Sequence, residues 1–172
     1  MKRVYMVLSI GLIALGLVCP GCRPSSTVQL EENKAIARRA FEEGWNKGNL
    51  TTVDEDVATN YVLHDPFSGE VKGPEGYKQY VTMYRTAFPD LHFTIEDQIA
   101  EGDKVVTRWT CTGTHQGELM GIAPTGKLGT VTGITIDRIA GGKAVETWNA
   151  WDALGMLQNI GVVPPMGDCG EK

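Results

Sequence analysis

The order of periodic segments along this chain predicts an α+β domain, with one mostly antiparallel sheet and helices packed on one of its faces. Three observations carry the prediction. Residues 31–46 and 73–88 place apolar side chains at helical intervals, four strand-like runs follow, and Gly- or Asp-containing turns separate the runs.

In the first segment Ala35, Ile36, Ala40, Phe41 and Trp45 recur on one helical face, and Gly44 and Gly48 mark its closing turn. Residues 52–59 read as a short helical or irregular piece, leading to a brief strand over 61–65 that Pro66 and a Ser68-Gly69 turn close. Gly73 and Pro74 open a second helix, where a missing N–H costs nothing, and Tyr77, Tyr80, Val81, Tyr84 and Phe88 follow until Pro89 stops it. Strands are expected at 91–100, 104–115, 129–139 and 144–151, and a short helix at 154–160.

Residues 116–128 join two of these strands and contain Gly121, Gly126 and Lys127 at the spacing of a phosphate-binding loop. That motif works between a strand and a helix whose amides face the phosphate, with Ser or Thr after the lysine. Here Leu128 follows and a strand continues, so the segment is read as hairpin turn chemistry.

The composition, 42% hydrophobic and 22% charged over 172 residues with a net charge of -5, is that of a globular domain and lacks the basic footprint of nucleic-acid binding. Lys2 and Arg3 precede an apolar run over 4–18 that is too short for a trusted membrane span and reads as an export signal. The Cys19 to Cys22 ending resembles a bacterial lipoprotein signal, which would make Cys22 the lipidated residue. The expected organisation is a signal over 1–22, a tether over 23–30, a domain over 31–163 and a tail over 164–172. Localisation is then the bacterial envelope, by lipid anchor or by secretion. Cys111, inside a strand-like run, reads as a buried free thiol rather than a partner for Cys169.

Candidate chemistry centres on histidines. Period-two alternation puts His115 on the face of Trp109, at the end of a surface that Cys111 and Gly113 leave unfilled. His64 ends the first strand beside Asp65, and an imidazole that titrates near neutrality can move protons when a carboxylate orients it. Structural roles, a histidine bonded to loop backbone or an aromatic in the core, compete with each of these readings. His64, His92 and His115 fall on separate elements without ligand spacing, so no metal is expected. Nor is there a nucleophile elbow or a placed nucleophilic cysteine.

Several short stretches, taken in order, resemble the SnoaL-like polyketide cyclases of the nuclear-transport-factor-2-like superfamily. They are Trp45 to Gly48, His64 to Pro66, Phe88 to Asp90, Gly102 to Val105, Gly113 to Gly117, Pro124 to Gly126, Gly142-Lys143, Glu146 with Trp148, and Trp151-Asp152. The resemblance implies a cone-shaped barrel: a strongly curved sheet, helices on its concave face, and an enclosed apolar pocket. It implies ring closure by an intramolecular aldol-type reaction, or an isomerisation, of a small hydrophobic carbonyl compound, by side-chain acid/base chemistry without cofactor. It also implies assembly into dimers or larger homo-oligomers, around Arg108 and Thr110. An alternative is an envelope-anchored module that binds an apolar ligand without transforming it. The family's histidine matches His115, and its aspartate falls on the strand containing Thr135 and Asp137. The candidate catalytic set is therefore His115, His64, Asp65 and Asp137, with Trp45, Tyr61, Tyr84, Trp109 and Trp148 around the substrate. On this reading His115→Ala folds normally and loses turnover.

Overall fold

The computed structural model describes residues 26–165. Cys22 and the apolar run before it lie outside the described residues, as does most of the expected tail. Helix α1 (Ser26–Arg39) begins five residues before the domain boundary drawn from sequence, so Ser26 to Leu30 are helix rather than tether. It runs into a π-helical segment, Ala40–Asn46, whose wider turn carries Phe41 and Trp45 into the core. The closing carbonyls of Trp45 and Asn46 accept bonds from the guanidinium of Arg85, which stands in for the amides a continuing helix would supply. Gly48 follows at φ 71, and a Cβ there would meet that guanidinium at 2.9 Å.

Helix α2 (Thr51–Asp56) leads into β1 (Val57–Asp65), β2 (Gly69–Lys72) and helix α3 (Gly73–Ala87). The remaining elements are β3 (His92–Glu101), β4 (Lys104–Thr114), β5 (Leu128–Ala140), β6 (Lys143–Trp151) and helix α4 (Ala153–Asn159). They agree with expectation except at β1, which is longer, and at β2, which the sequence pattern does not mark beyond the Ser68-Gly69 turn at its start.

The six strands form one sheet in the order β2-β1-β6-β5-β4-β3. Strands β3 to β6 are the expected antiparallel meander, but β1 lies parallel to β6. Strand sequences report which face is buried and not which neighbour a strand takes, so this pairing was not legible. Bulges between Ile95 and Asp97 and between Arg138 and Ile139 bend the sheet. The sheet curves around its contents without closing, leaving β2 and β3 as edges. The side chain of Asn46 guards the β3 edge by exchanging two bonds with the backbone of Phe93, as a neighbouring strand would.

The hydrophobic core lies between the concave face and the helices. Val81 and Ala87 of α3 have no exposed surface, and Tyr77, Tyr80 and Tyr84 on the same helix are buried with them. This is a sheet with helices on its concave face, as the sequence predicts.

Candidate active site

A cavity of about 100 Å3 remains inside this core. Large rings cannot fill a curved sheet without gaps, and here they pack edge to face. Trp45 meets Tyr80 at 5.6 Å between ring centres, and Tyr80 meets Tyr84 at 5.1 Å. Trp45, Tyr61, Tyr84 and Trp109 all line the cavity. Trp148 does not: it stacks on the ring of His64 at 5.7 Å on the outer face of the sheet.

The same alternation separates His64 from Asp65. Neighbours on a strand point to opposite faces, so the imidazole goes outward and the carboxylate inward. His64 meets Glu146 at 3.0 Å, and Glu146 also accepts from Arg138 at 2.9 Å. These partners, His64 first, hold the Glu146 carboxyl below its ordinary range. His64 and Asp65 therefore cannot work as one acid/base pair.

Asp65 is buried and saturated with donors. One oxygen accepts the backbone amides of Phe67 and Ser68, which folds the turn after β1. The other accepts from the Tyr80 hydroxyl at 2.8 Å, the Trp151 indole at 2.8 Å and the Asn149 amide at 3.3 Å. Three cavity-lining residues, one on α3 and two on β6, are tied to this one atom. With both oxygens so engaged, the carboxylate is built to position its neighbours.

His115 lies one residue beyond the end of β4 and is buried on the side of Gly113, against Phe88. It has no exposed surface, it is not among the residues lining the cavity, and it packs on the ring of Phe88 at 5.1 Å. The Thr125 amide donates to its Nδ1 at 3.3 Å, so Nδ1 is an acceptor and Nε2 carries the proton. That Nε2 has no hydrogen-bond partner. Burial lowers the pKa of the ring, and the nearby Gly117 carbonyl acts in the opposite direction. The ring is thus a neutral clasp for the hairpin, with its backbone N–H bonded to Lys127 and its carbonyl to Gly126.

Asp137 is the one carboxylate among the cavity-lining residues. It sits on β5 opposite Thr147 of β6, whose hydroxyl donates to Oδ1 at 2.7 Å. Burial raises its pKa to about 6, only partly offset by that hydrogen bond. Two residues back on the same face, Thr135 accepts the Trp109 indole N–H at 2.9 Å and donates to Oδ1 of Asn149 at 2.8 Å. Gly133 makes room for this: a Cβ there would meet the Trp109 ring at 2.4 Å.

Sequence reasoning missed Thr147 and Asn149. The signal was present, because alternation along β6 puts Thr147, Asn149 and Trp151 on one face and Trp148 on the other. The aromatic character of Trp148 outweighed it. Cys111 is a free thiol in the cavity wall, and burial pushes its pKa up to about 12. Such a thiol is inert. Among the described residues no three His, Cys, Asp or Glu side chains gather as a metal site requires, and no helix is long and apolar enough to cross a membrane.

Comparison with known proteins joins this geometry to a family. Aklanonic acid methyl ester cyclase DnrD of Streptomyces peucetius is 29% identical over 129 residues, covering 72% of this chain and 87% of that protein. A protein of Jannaschia sp. CCS1 described as a SnoaL-like polyketide cyclase superposes with a TM-score of 0.74 at 25% identity, covering 84% of this chain and all of that one. AclR of Streptomyces galilaeus, described as a hydroxylase, superposes with a TM-score of 0.70 at 29% identity, covering 81% and 87%. The family model for the SnoaL-like polyketide cyclases matches residues 35–160, the span that builds the sheet, the cavity and its single carboxylate, and the chain belongs to that family.

Proposed function

We propose that this protein is a cyclase-type acid/base enzyme in which Asp137 removes a proton next to the carbonyl of a small hydrophobic compound. The enolate carbon then attacks a second carbonyl of the same molecule. One C–C bond forms, and the resulting alkoxide takes up a proton, so the step needs no oxidant or reductant. The observation that carries this reading is a buried carboxyl with a pKa of about 6 in the wall of an apolar cavity. Such a group is ionised at neutral pH yet basic enough to accept a proton. Family membership and the likeness to the ester cyclase DnrD support ring closure as the reaction class. AclR is described as a hydroxylase, so the choice of reaction rests on the side chains of this chain.

His115 and His64 have no part in the proton transfer. Asp65 takes part only by holding Tyr80, Trp151 and Asn149 in place. The apolar leader and Cys22 support a place in the bacterial envelope, and the family resemblance supports a homo-oligomer.

The test is deuterium exchange at the carbon next to the carbonyl, followed by NMR over a panel of hydrophobic dicarbonyl esters that includes aklanonic acid methyl ester. Exchange by the native protein and its loss in Asp137→Asn is the expected outcome. Equal exchange by the two would end the assignment.

A further inference from the structure

We infer that Asn149 is the hydrogen-bond donor for the oxygen that becomes negative in this reaction, and that Trp109, Thr135 and Asp65 exist in part to aim it. The inference rests on the acid/base reading of Asp137. It adds the second group that such chemistry requires, because removing a proton beside a carbonyl leaves an enolate oxygen that needs a preorganised donor.

The orientation of the Asn149 amide follows from its neighbours. An indole N–H can only donate, so the Thr135 oxygen accepts from Trp109 and its own hydrogen is left to donate. It goes to the carbonyl oxygen of Asn149 at 2.8 Å. On the other side Oδ2 of Asp65 already accepts the Trp151 indole and the Tyr80 hydroxyl, and the Asn149 nitrogen faces it at 3.3 Å. Both ends of the carboxamide are therefore engaged, the oxygen by Thr135 and the nitrogen by Asp65.

A carboxamide nitrogen carries two hydrogens. One is committed to Asp65. Asn149 also lines the cavity, where the second is left for a ligand. Thr135 is opposite Asn149, and Asp137 is opposite Thr147, in the register of β5 and β6. The donor and the base are thus diagonal neighbours on one face, roughly 7 Å apart at the backbone. At that separation one side chain can meet a carbonyl oxygen while the other meets the α-carbon two bonds away.

Substituted arenes separate the donor from the pocket around it. 4-Nitrophenolate presents a negative oxygen on a flat apolar body, and 4-nitrotoluene has nearly the same shape without the oxygen. Dissociation constants for both are to be measured on the folded protein, at a pH where the phenol is ionised, for the native protein, Asn149→Ala, Thr135→Val and Asp137→Asn. The expected result is that Asn149→Ala weakens 4-nitrophenolate by about tenfold or more, as for a lost bond to a charged group, and leaves 4-nitrotoluene within about twofold. Thr135→Val frees the carboxamide to rotate and should weaken 4-nitrophenolate by a smaller factor, again sparing 4-nitrotoluene. Asp137→Asn removes a nearby negative charge and should tighten 4-nitrophenolate.

Loss of both ligands in Asn149→Ala, or of neither, overturns the inference, and so does an Asp137→Asn protein that prefers 4-nitrotoluene. If Asn149→Ala behaves as expected and Asp137→Asn leaves 4-nitrophenolate unchanged, the donor stands and the base assignment falls. The reverse pattern retains the base and removes the donor.

Discussion

Asp137 and Thr147 face each other across β5 and β6, with the threonine hydroxyl donating to the carboxylate at 2.7 Å. It is one hydrogen bond given to a group that has lost its water. The balance leaves the carboxyl with a raised pKa of about 6, and that imbalance has a signature in folding as well as in reactivity.

The folded state holds the Asp137 proton up to about pH 6, whereas the unfolded chain releases it near an ordinary carboxyl pKa of about 3.9. Between these values the native state binds more protons, so stability falls as pH rises, by about 3 kcal/mol in all, and is level above. Asp137→Asn should abolish this component. Urea denaturation of both proteins from pH 4 to pH 8 checks it, and a difference between them that does not vary with pH would contradict it.

Reactivity should follow the opposite course. A base acts in its ionised form, so exchange at the substrate carbon should rise with pH to a plateau, with a midpoint near 6. The midpoint belongs to the free enzyme and is read from kcat/KM.

Asp65→Asn should be among the most damaging conservative changes in the chain. It replaces an acceptor of five donors by a group that must turn an N–H towards some of them, with an expected loss of about 3 kcal/mol. Thermal or urea unfolding measures it. A loss under 1 kcal/mol would mean that the carboxylate network carries little of the cavity wall.

His115→Ala should cost stability rather than spare it. Removing a fully buried ring leaves a hole beside Phe88 and releases Thr125, an expected loss of about 2 kcal/mol or more. Hydrogen exchange should quicken at the Gly126 amide, which is bonded to the His115 carbonyl. A protein as stable as the native one would restore a functional reading of this histidine.

His64→Gln should change little. The ring is a third exposed and its hydrogen bond with Glu146 is on the outer face, so the expected loss is below about 1 kcal/mol and 4-nitrotoluene should bind as before. A loss of ligand binding would connect the two faces of the sheet.

How far the sequence revealed this molecule can be judged residue by residue. Helical spacing on α3 showed Tyr77, Tyr80 and Tyr84 as one buried face, because a helix gives its face away within two turns. Period-two alternation was equally informative on β4 and β5, and it placed Thr135 and Asp137 together before any coordinate. It also put His115, one residue past the strand, on the buried side with Gly113 and against Phe88, but alternation says nothing about depth, and the ring stops short of the cavity lining. It was available and unused on β6, where Trp148 drew attention from Asn149. The parallel pairing of β1 with β6 was beyond local reasoning altogether, since nothing within either strand names its partner.

That pairing imposes an order on folding. Asp65 meets Asn149 across 84 residues of chain, so while the chain is being synthesised the carboxylate remains without two of its side-chain partners until β6 has emerged. Contacts of such long sequence separation close late and slowly. The meander can assemble first, and the aromatic wall gains its last fastening when the first strand docks against the last.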